Sequence, residues 1–178
     1  LVPVDCWHGS LRYHFDDRRV PDGIIPIRRL IANANCTLDG DAPPPTDNSR
    51  LSGAWYDPSL TGQGLIIDVS PAQTTLFAAW YTFVPGFTPV DPQHELQWYY
   101  LQAIDVAPDA VTFTDVPIYQ PPPGVFLGPQ TAGDTRVGHA DFVFEGCDAL
   151  TLTYRFNAST QARTLNLVRL GPSPSTCR

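Results

Sequence analysis

The chain contains no lysine and no methionine, and all 11 of its basic residues are arginine. Set against 18 acidic residues, they leave a formal charge of −7. A scattered minority of cations offers no basic face, so neither nucleic acid nor an anionic membrane is expected as a partner. Without an initiator methionine, the chain reads as a processed mature form or an excised piece. No apolar run reaches the roughly 18 residues of a transmembrane helix, so no membrane insertion is expected. No signal peptide is visible, and one is expected to have been removed. His8, His14, His94 and His139 lack ligand spacing, and no Cys-x-x-Cys occurs. No metal or other cofactor is therefore expected. There is no Gly-x-Ser-x-Gly elbow and no His-Glu-x-x-His. The acidic residues single out no facing pair of the kind that glycoside hydrolysis needs. No catalytic residue is assigned.

What is abundant is turn-forming and apolar. The 19 prolines and 13 glycines point to many turns and little helix, and the 43% hydrophobic content suffices for a core. The length fits one domain plus an extension, or one large β domain. Four cysteines, Cys6, Cys36, Cys147 and Cys177, allow three pairings. The sequence-local solution, Cys6–Cys36 and Cys147–Cys177, is favoured because each bridge ties a terminus to nearby structure. A loop of that length would contribute roughly 3–4 kcal/mol in the chain-entropy model. Such usage points to an oxidising compartment, and hence to a secreted, periplasmic or cell-surface protein.

Residues 1–40 read as a cysteine-bracketed N-terminal extension. Leu11, Tyr13 and Phe15 alternate with Arg12 and His14, a short strand signal. The segment from Ile24 to Ala34 is either a strand interrupted by Pro26 or a short helical turn after it. Residues 41–50 form a Pro-rich linker. From residue 51 onward, strands are expected near 51–57, 63–69, 75–84, 95–104, 110–116, 136–146, 149–157 and 163–170. Leu150, Leu152, Tyr154 and Phe156 alternate with Thr151, Thr153, Arg155 and Asn157, the mark of a sheet buried on one face. The expected fold is all-β: residues 51–178 form an antiparallel up-and-down β-barrel of about eight strands, with a two-sheet sandwich as the alternative. Two long connections, Pro85–Gln93 and Pro117–Thr135, interrupt the pattern. The second is long enough to be packed on the body or functional.

Gly53-x-Trp55-Tyr56-Asp57-Pro58 precedes Thr61-Gly62-x-Gly64, then Leu76-Phe77-x-x-Trp80-Tyr81-Thr82-Phe83 and Gln97-Trp98-Tyr99. Gly138-x-Ala140 leads to Cys147, and Leu165-x-Leu167-x-Arg169-Leu170 follows. Over roughly residues 51–170 this order resembles a large group of secreted proteobacterial domains. Their opening is Gly-x-Trp, an aromatic, Asn or Asp, and Pro, followed by a Ser/Thr-Gly-x-Gly turn. The resemblance implies a secreted all-β domain, often tandemly repeated, and carries no activity. The Gly-x-Trp-Tyr start also looks superficially like the opening of avidin-type barrels, which adds only to the barrel expectation.

Three aromatic clusters are the candidate ligand-binding residues: Trp55 with Tyr56, Trp80 with Tyr81, and Trp98 with Tyr99 and Tyr100. Neighbours in a strand face opposite ways, so each cluster sends one side chain inward and one outward. The outward members are either cross-strand packing or a platform for a sugar ring or flat ligand. Asp57, in the Asp-Pro turn, is a candidate ligand or ion group, with backbone capping as the structural alternative. Asp68 is either outward and ordinary, or inward and in need of Arg155 or Arg169. Asn35-Cys36-Thr37 and Asn157-Ala158-Ser159 match the glycosylation sequon and are expected to be unused. The favoured reading is a secreted, non-catalytic module for carbohydrate or another extracellular ligand. One alternative is a structural subunit that self-associates by strand addition through the extension. Another is a small enzyme with a barrel-mouth pocket.

Overall fold

The computed structural model describes all residues except 6, 17–20, 31–46, 85–95, 126–127, 129–131 and 175–178. Cys6, Cys36, Cys177, His94, the first sequon, the linker proline run and the Pro85–Gln93 loop therefore lie outside the described residues. The described chain is all-β. A three-stranded antiparallel sheet contains β1 (Val2–Pro3), β2 (His8–Tyr13) and β3 (Gly23–Arg28) in that order. Leu11 and Tyr13 fall in β2, and the interrupted-strand alternative for the Ile24 segment is the observed one. Pro26 sits in β3, an outer strand of this sheet, where a residue without an N–H is tolerated.

The remaining eight strands close into an antiparallel barrel. They are β4 (Gly53–Tyr56), β5 (Gly64–Ser70), β6 (Thr75–Phe83), β7 (Leu96–Ala103), β8 (Thr112–Gln120), β9 (Thr135–Phe144), β10 (Ala149–Phe156) and β11 (Arg163–Leu170). Each strand pairs with its sequence neighbours, and β11 returns to β4 through Val168–Tyr56, Arg169–Trp55 and Leu170–Ala54. This is the up-and-down meander that the alternation implies, and closure leaves the barrel without a free sheet edge.

One strand runs further than the sequence indicates. Residues 117–120, expected to begin a long loop, continue β8. Pro117 is accommodated because β7 pairs with β8 at Tyr100–Tyr119 and Leu101–Ile118, beyond the proline. On the other side the β8–β9 register shifts between Phe113 and Val116, and Asp115 takes a left-handed φ of 53° there. A bulge is where a strand can hold both a proline and a left-handed Asp.

The barrel interior is filled. Leu76, Leu101, Ile118, Phe142 and Leu152 are fully buried inside it, and Trp55, Leu65, Ile67 and Leu150 are 1% exposed. Each such side chain contributes about 1.5–3 kcal/mol by leaving water. One end is closed by a short 3-10 helix, Asn48–Leu51. Asp47 caps it by accepting from the Ser49 N–H, and Asn48 Nδ2 donates to the Ala107 carbonyl at 2.8 Å. Leu51 enters the core.

Arg169 locks that closed end. It lies on the inward face of β11, beyond Leu165 and Leu167, with its guanidinium carbon 4.6 Å from the centre of the Trp55 ring. Its Nε donates to the Cys147 carbonyl at 2.6 Å, Nη1 to Ser52 at 2.7 Å and Nη2 to Arg50 at 2.8 Å. Burial pulls the guanidinium below the usual arginine range, with nearby Asp148 opposing. Trp55 in turn donates through Nε1 to the Leu51 carbonyl at 3.2 Å. Gly53 is required by this cluster, because a Cβ there would stand 2.4 Å from Arg169 Nη1. The Gly-x-Trp opening and the late Arg169 are thus two halves of one contact across the seam. Arg169→Met is expected to cost about 2–3 kcal/mol, since three carbonyls lose a charged donor. Gly53→Ala should destabilise in the same direction. Urea unfolding measures both, and an unchanged midpoint for Arg169→Met would contradict the lock.

Candidate functional site

Alternation around the barrel settles where each candidate aromatic points. Trp55, Trp80 and Tyr99 are buried in the core. Tyr56, Tyr81, Trp98 and Tyr100 face outward, with Tyr81 49% and Trp98 45% exposed. Three of the outward four meet. Tyr81 opposes Trp98 across β6–β7, and Trp98 lies 6.5 Å from Tyr100 in a tilted arrangement. Tyr56 is set apart from Tyr81 by Gly64, which pairs with Tyr81. A Cβ on Gly64 would strike the Trp55 carbonyl at 2.7 Å, so this gap in the outer row is fixed by backbone packing.

Two further aromatics complete the face. Phe77 stacks on Tyr100 at 5.8 Å and 19°, and Tyr119 stacks on its other side at 5.0 Å and 17°. Phe77 shares the parity of Tyr81 on β6, which the sequence offered as a signal. Tyr119 was hidden because its segment reads as Pro-rich loop. The Tyr100 hydroxyl donates to Asp134 Oδ2 at 2.6 Å. Burial and this carboxylate together push its phenol up to about 12, so Tyr100 stays a neutral donor across the working pH range.

This face forms a groove of about 420 Å³. Phe77, Trp98 and Tyr100 supply the apolar surface, and Gln73, Thr75 and Gln102 supply the polar rim. Leu30, just after the N-terminal sheet, also lines it. An adjoining cleft of about 670 Å³ shares Tyr100 and Gln102 and is bordered by Asp115 and Asp134. It opens where β7 and β8 diverge away from their paired residues.

A separate pocket of about 270 Å³ occupies the barrel mouth, at the end opposite Arg169. Trp80, Tyr154 and Phe156 form its aromatic floor. Trp80 meets Tyr154 edge-on at 4.8 Å and lies nearly parallel to Phe156 at 6.0 Å. On the rim, Thr82 Oγ1 donates to Gln63 Oε1 at 2.5 Å. Burial raises the Tyr154 phenol, opposed by the charge and hydrogen bond of Arg163.

The remaining candidates have structural roles. Asp57 is turn chemistry: its Oδ1 accepts from the Ser59 N–H at 2.8 Å and from Ser59 Oγ at 2.6 Å. Those bonds hold its carboxyl below the ordinary range. Asp68 is half-buried on the outer side of β5. Neither Arg155 nor Arg169 serves it: Ser52 Oγ donates to it at 3.3 Å, and the cation acting on it is Arg29. Cys147 is buried at the closed end beside the lock. Among the described residues no group of three or more His, Cys, Asp or Glu could hold a metal ion. No described helix is long and apolar enough to cross a membrane. No protein-family model, curated protein or solved structure matches the chain.

Burial is the largest influence on Asp68 and raises its carboxyl above the ordinary value. The folded state therefore binds its proton more tightly than the unfolded state, and stability is lost as pH rises through the raised value. Asp68→Asn removes that loss. The variant should be more stable than wild type at neutral pH by a few tenths of a kcal/mol, the half-exposed position keeping the effect small. The gap should shrink in acid below the ordinary carboxylate range. Thermal melts across pH measure it, and a gap that widens in acid would contradict this assignment.

Proposed function

We propose that the protein is a secreted, non-catalytic binding module that takes carbohydrate on the outer aromatic face of β6–β8. The observation that carries this reading is the contiguity of Tyr81, Trp98, Tyr100, Phe77 and Tyr119 on one exposed surface. The polarised C–H face of a sugar ring complements the negative face of an aromatic ring. Its hydroxyls need donors and acceptors at the edge, which amides and carboxylates provide. Gln73, Gln102 and Thr75 stand there, and Asp134 and Asp115 border the adjoining cleft. Packing alone would account for a stacked Tyr100. It gives no reason to leave the Trp98 indole and the Tyr81 ring half exposed side by side.

The filled interior also favours a surface site, because a deep reaction chamber has no room. Pull-down on insoluble polysaccharides (cellulose, chitin and peptidoglycan) tests the proposal. At least one should retain the protein, and Trp98→Ala should weaken retention about tenfold or more. Tyr56→Ala, beyond the Gly64 gap, should leave it unchanged. Retention by none of these and by no soluble glycan, or full retention by Trp98→Ala, would sink the reading.

Export to an oxidising compartment is part of the same proposal. It rests on the even cysteine count, with Cys6–Cys36 and Cys147–Cys177 as the proposed bridges. Thiol titration of the unfolded, unreduced chain should find no reactive thiol. A full complement of titratable cysteines would remove both the bridges and the compartment.

A further inference from the structure

We infer that the barrel mouth is a second binding site, for a small planar aromatic carboxylate. The contrast that carries this lies on one strand. The inward face of β11 reads Arg163, Leu165, Leu167, Arg169, with an arginine at each end of the barrel and two leucines between them. Arg169 is consumed by architecture, with three carbonyls and an indole around it. Arg163 is exposed at the mouth, and its hydrogen bond goes to the Tyr154 phenol. A guanidinium carries five donors in a fork that fits a carboxylate, so Arg163 retains capacity for one.

The pocket around it is electrostatically one-sided. Among the described residues, Gln63, Thr82, Ser159 and Gln161 are its other polar lining groups, and none is a carboxylate. In a chain of net charge −7, a described lining with an arginine and no acid favours an anion over a cation. Beneath the arginine, the floor is aromatic. Trp80 is 3% exposed and braced by Tyr99 at 5.7 Å, Tyr154 at 4.8 Å and Phe156 at 6.0 Å. That bracing fixes the half-buried Tyr154 and Phe156 rings as a preformed apolar surface against which a ligand ring can pack. At about 270 Å³, the space lies at the small end of the roughly 300–1,000 Å³ typical of ligand pockets. One ring with a carboxylate fits that volume. Among the described residues the mouth shares no lining residue with the outer groove, so this site stands or falls independently of the carbohydrate reading.

The test is calorimetric titration of the full chain with 4-hydroxybenzoate and with its neutral amide. The acid should bind saturably and about tenfold or more tighter than the amide, reflecting the charge-assisted contact. Arg163→Gln should bring the two ligands to equal, weak affinity, and Gln161→Trp, at the rim, should block both. Arg163 and Gln161 are exposed, so neither change threatens the core. The inference is overturned if the acid fails to saturate up to about 10 mM, if acid and amide bind equally well to wild type, or if Arg163→Gln keeps the preference for the acid.

Discussion

The barrel depends on one contact, the guanidinium of Arg169 held against Trp55 and three backbone carbonyls. An up-and-down barrel must join its last strand to its first, and at that seam Arg169 makes the join. Arg169 on β11 reaches across to Ser52 and Arg50 ahead of β4, and to Cys147 in the β9–β10 turn. These segments are far apart in sequence, so the lock can form only when the meander is complete. It also satisfies carbonyls that would otherwise face the core without donors, which costs more than a typical hydrogen bond contributes. Gly53 follows from the same contact, because only a residue without Cβ leaves room for the guanidinium.

Closing one end and filling the interior restricts where a ligand can sit. Leucine, isoleucine and phenylalanine side chains occupy the middle of the barrel, so solvent reaches protein groups at the mouth and on the outer wall. On the outer wall, the β8 bulge lets Pro117 remain in a strand while Tyr119 comes into register with Tyr100. That register turns separate outward aromatics into one stacked surface. The architecture that fills the interior therefore also assembles the exterior aromatic face.

Much of this was legible in the chain. Period-2 alternation in Leu150–Phe156 located β10, and the series of short strands pointed to a barrel, with a two-sheet sandwich as the alternative. The same alternation required that one member of each aromatic pair be buried, but it could not say which. Parity is fixed by contacts made after folding: Trp55 is inward because Arg169 needs its ring, and Trp80 because Tyr154 and Phe156 surround it. Tyr119 escaped notice because three consecutive prolines follow it, and composition cannot register a bulge. Asp68 takes the outward of its two alternatives, a choice that alternation could not make because parity does not carry across the turn after Tyr56. The inward alternative would have called on Arg155 or Arg169, and Arg169 is held by backbone carbonyls, which leave no trace in sequence. The hairpin Asp57 was separable from a ligand role only through its bonds to Ser59.

The central claim is that this barrel presents its ligand surface on the outer wall while the core stays sealed. Its four tryptophans, Trp7, Trp55, Trp80 and Trp98, report on four different places: the N-terminal sheet, the locked core, the mouth floor and the outer face. Indole N–H signals followed by NMR during titration with an oligosaccharide of the retained polysaccharide read all four at once. The account predicts that the Trp98 signal moves with added sugar while those of Trp55 and Trp80 hold still. Movement of Trp55 or Trp80 with Trp98 silent would place the ligand inside the barrel and contradict it.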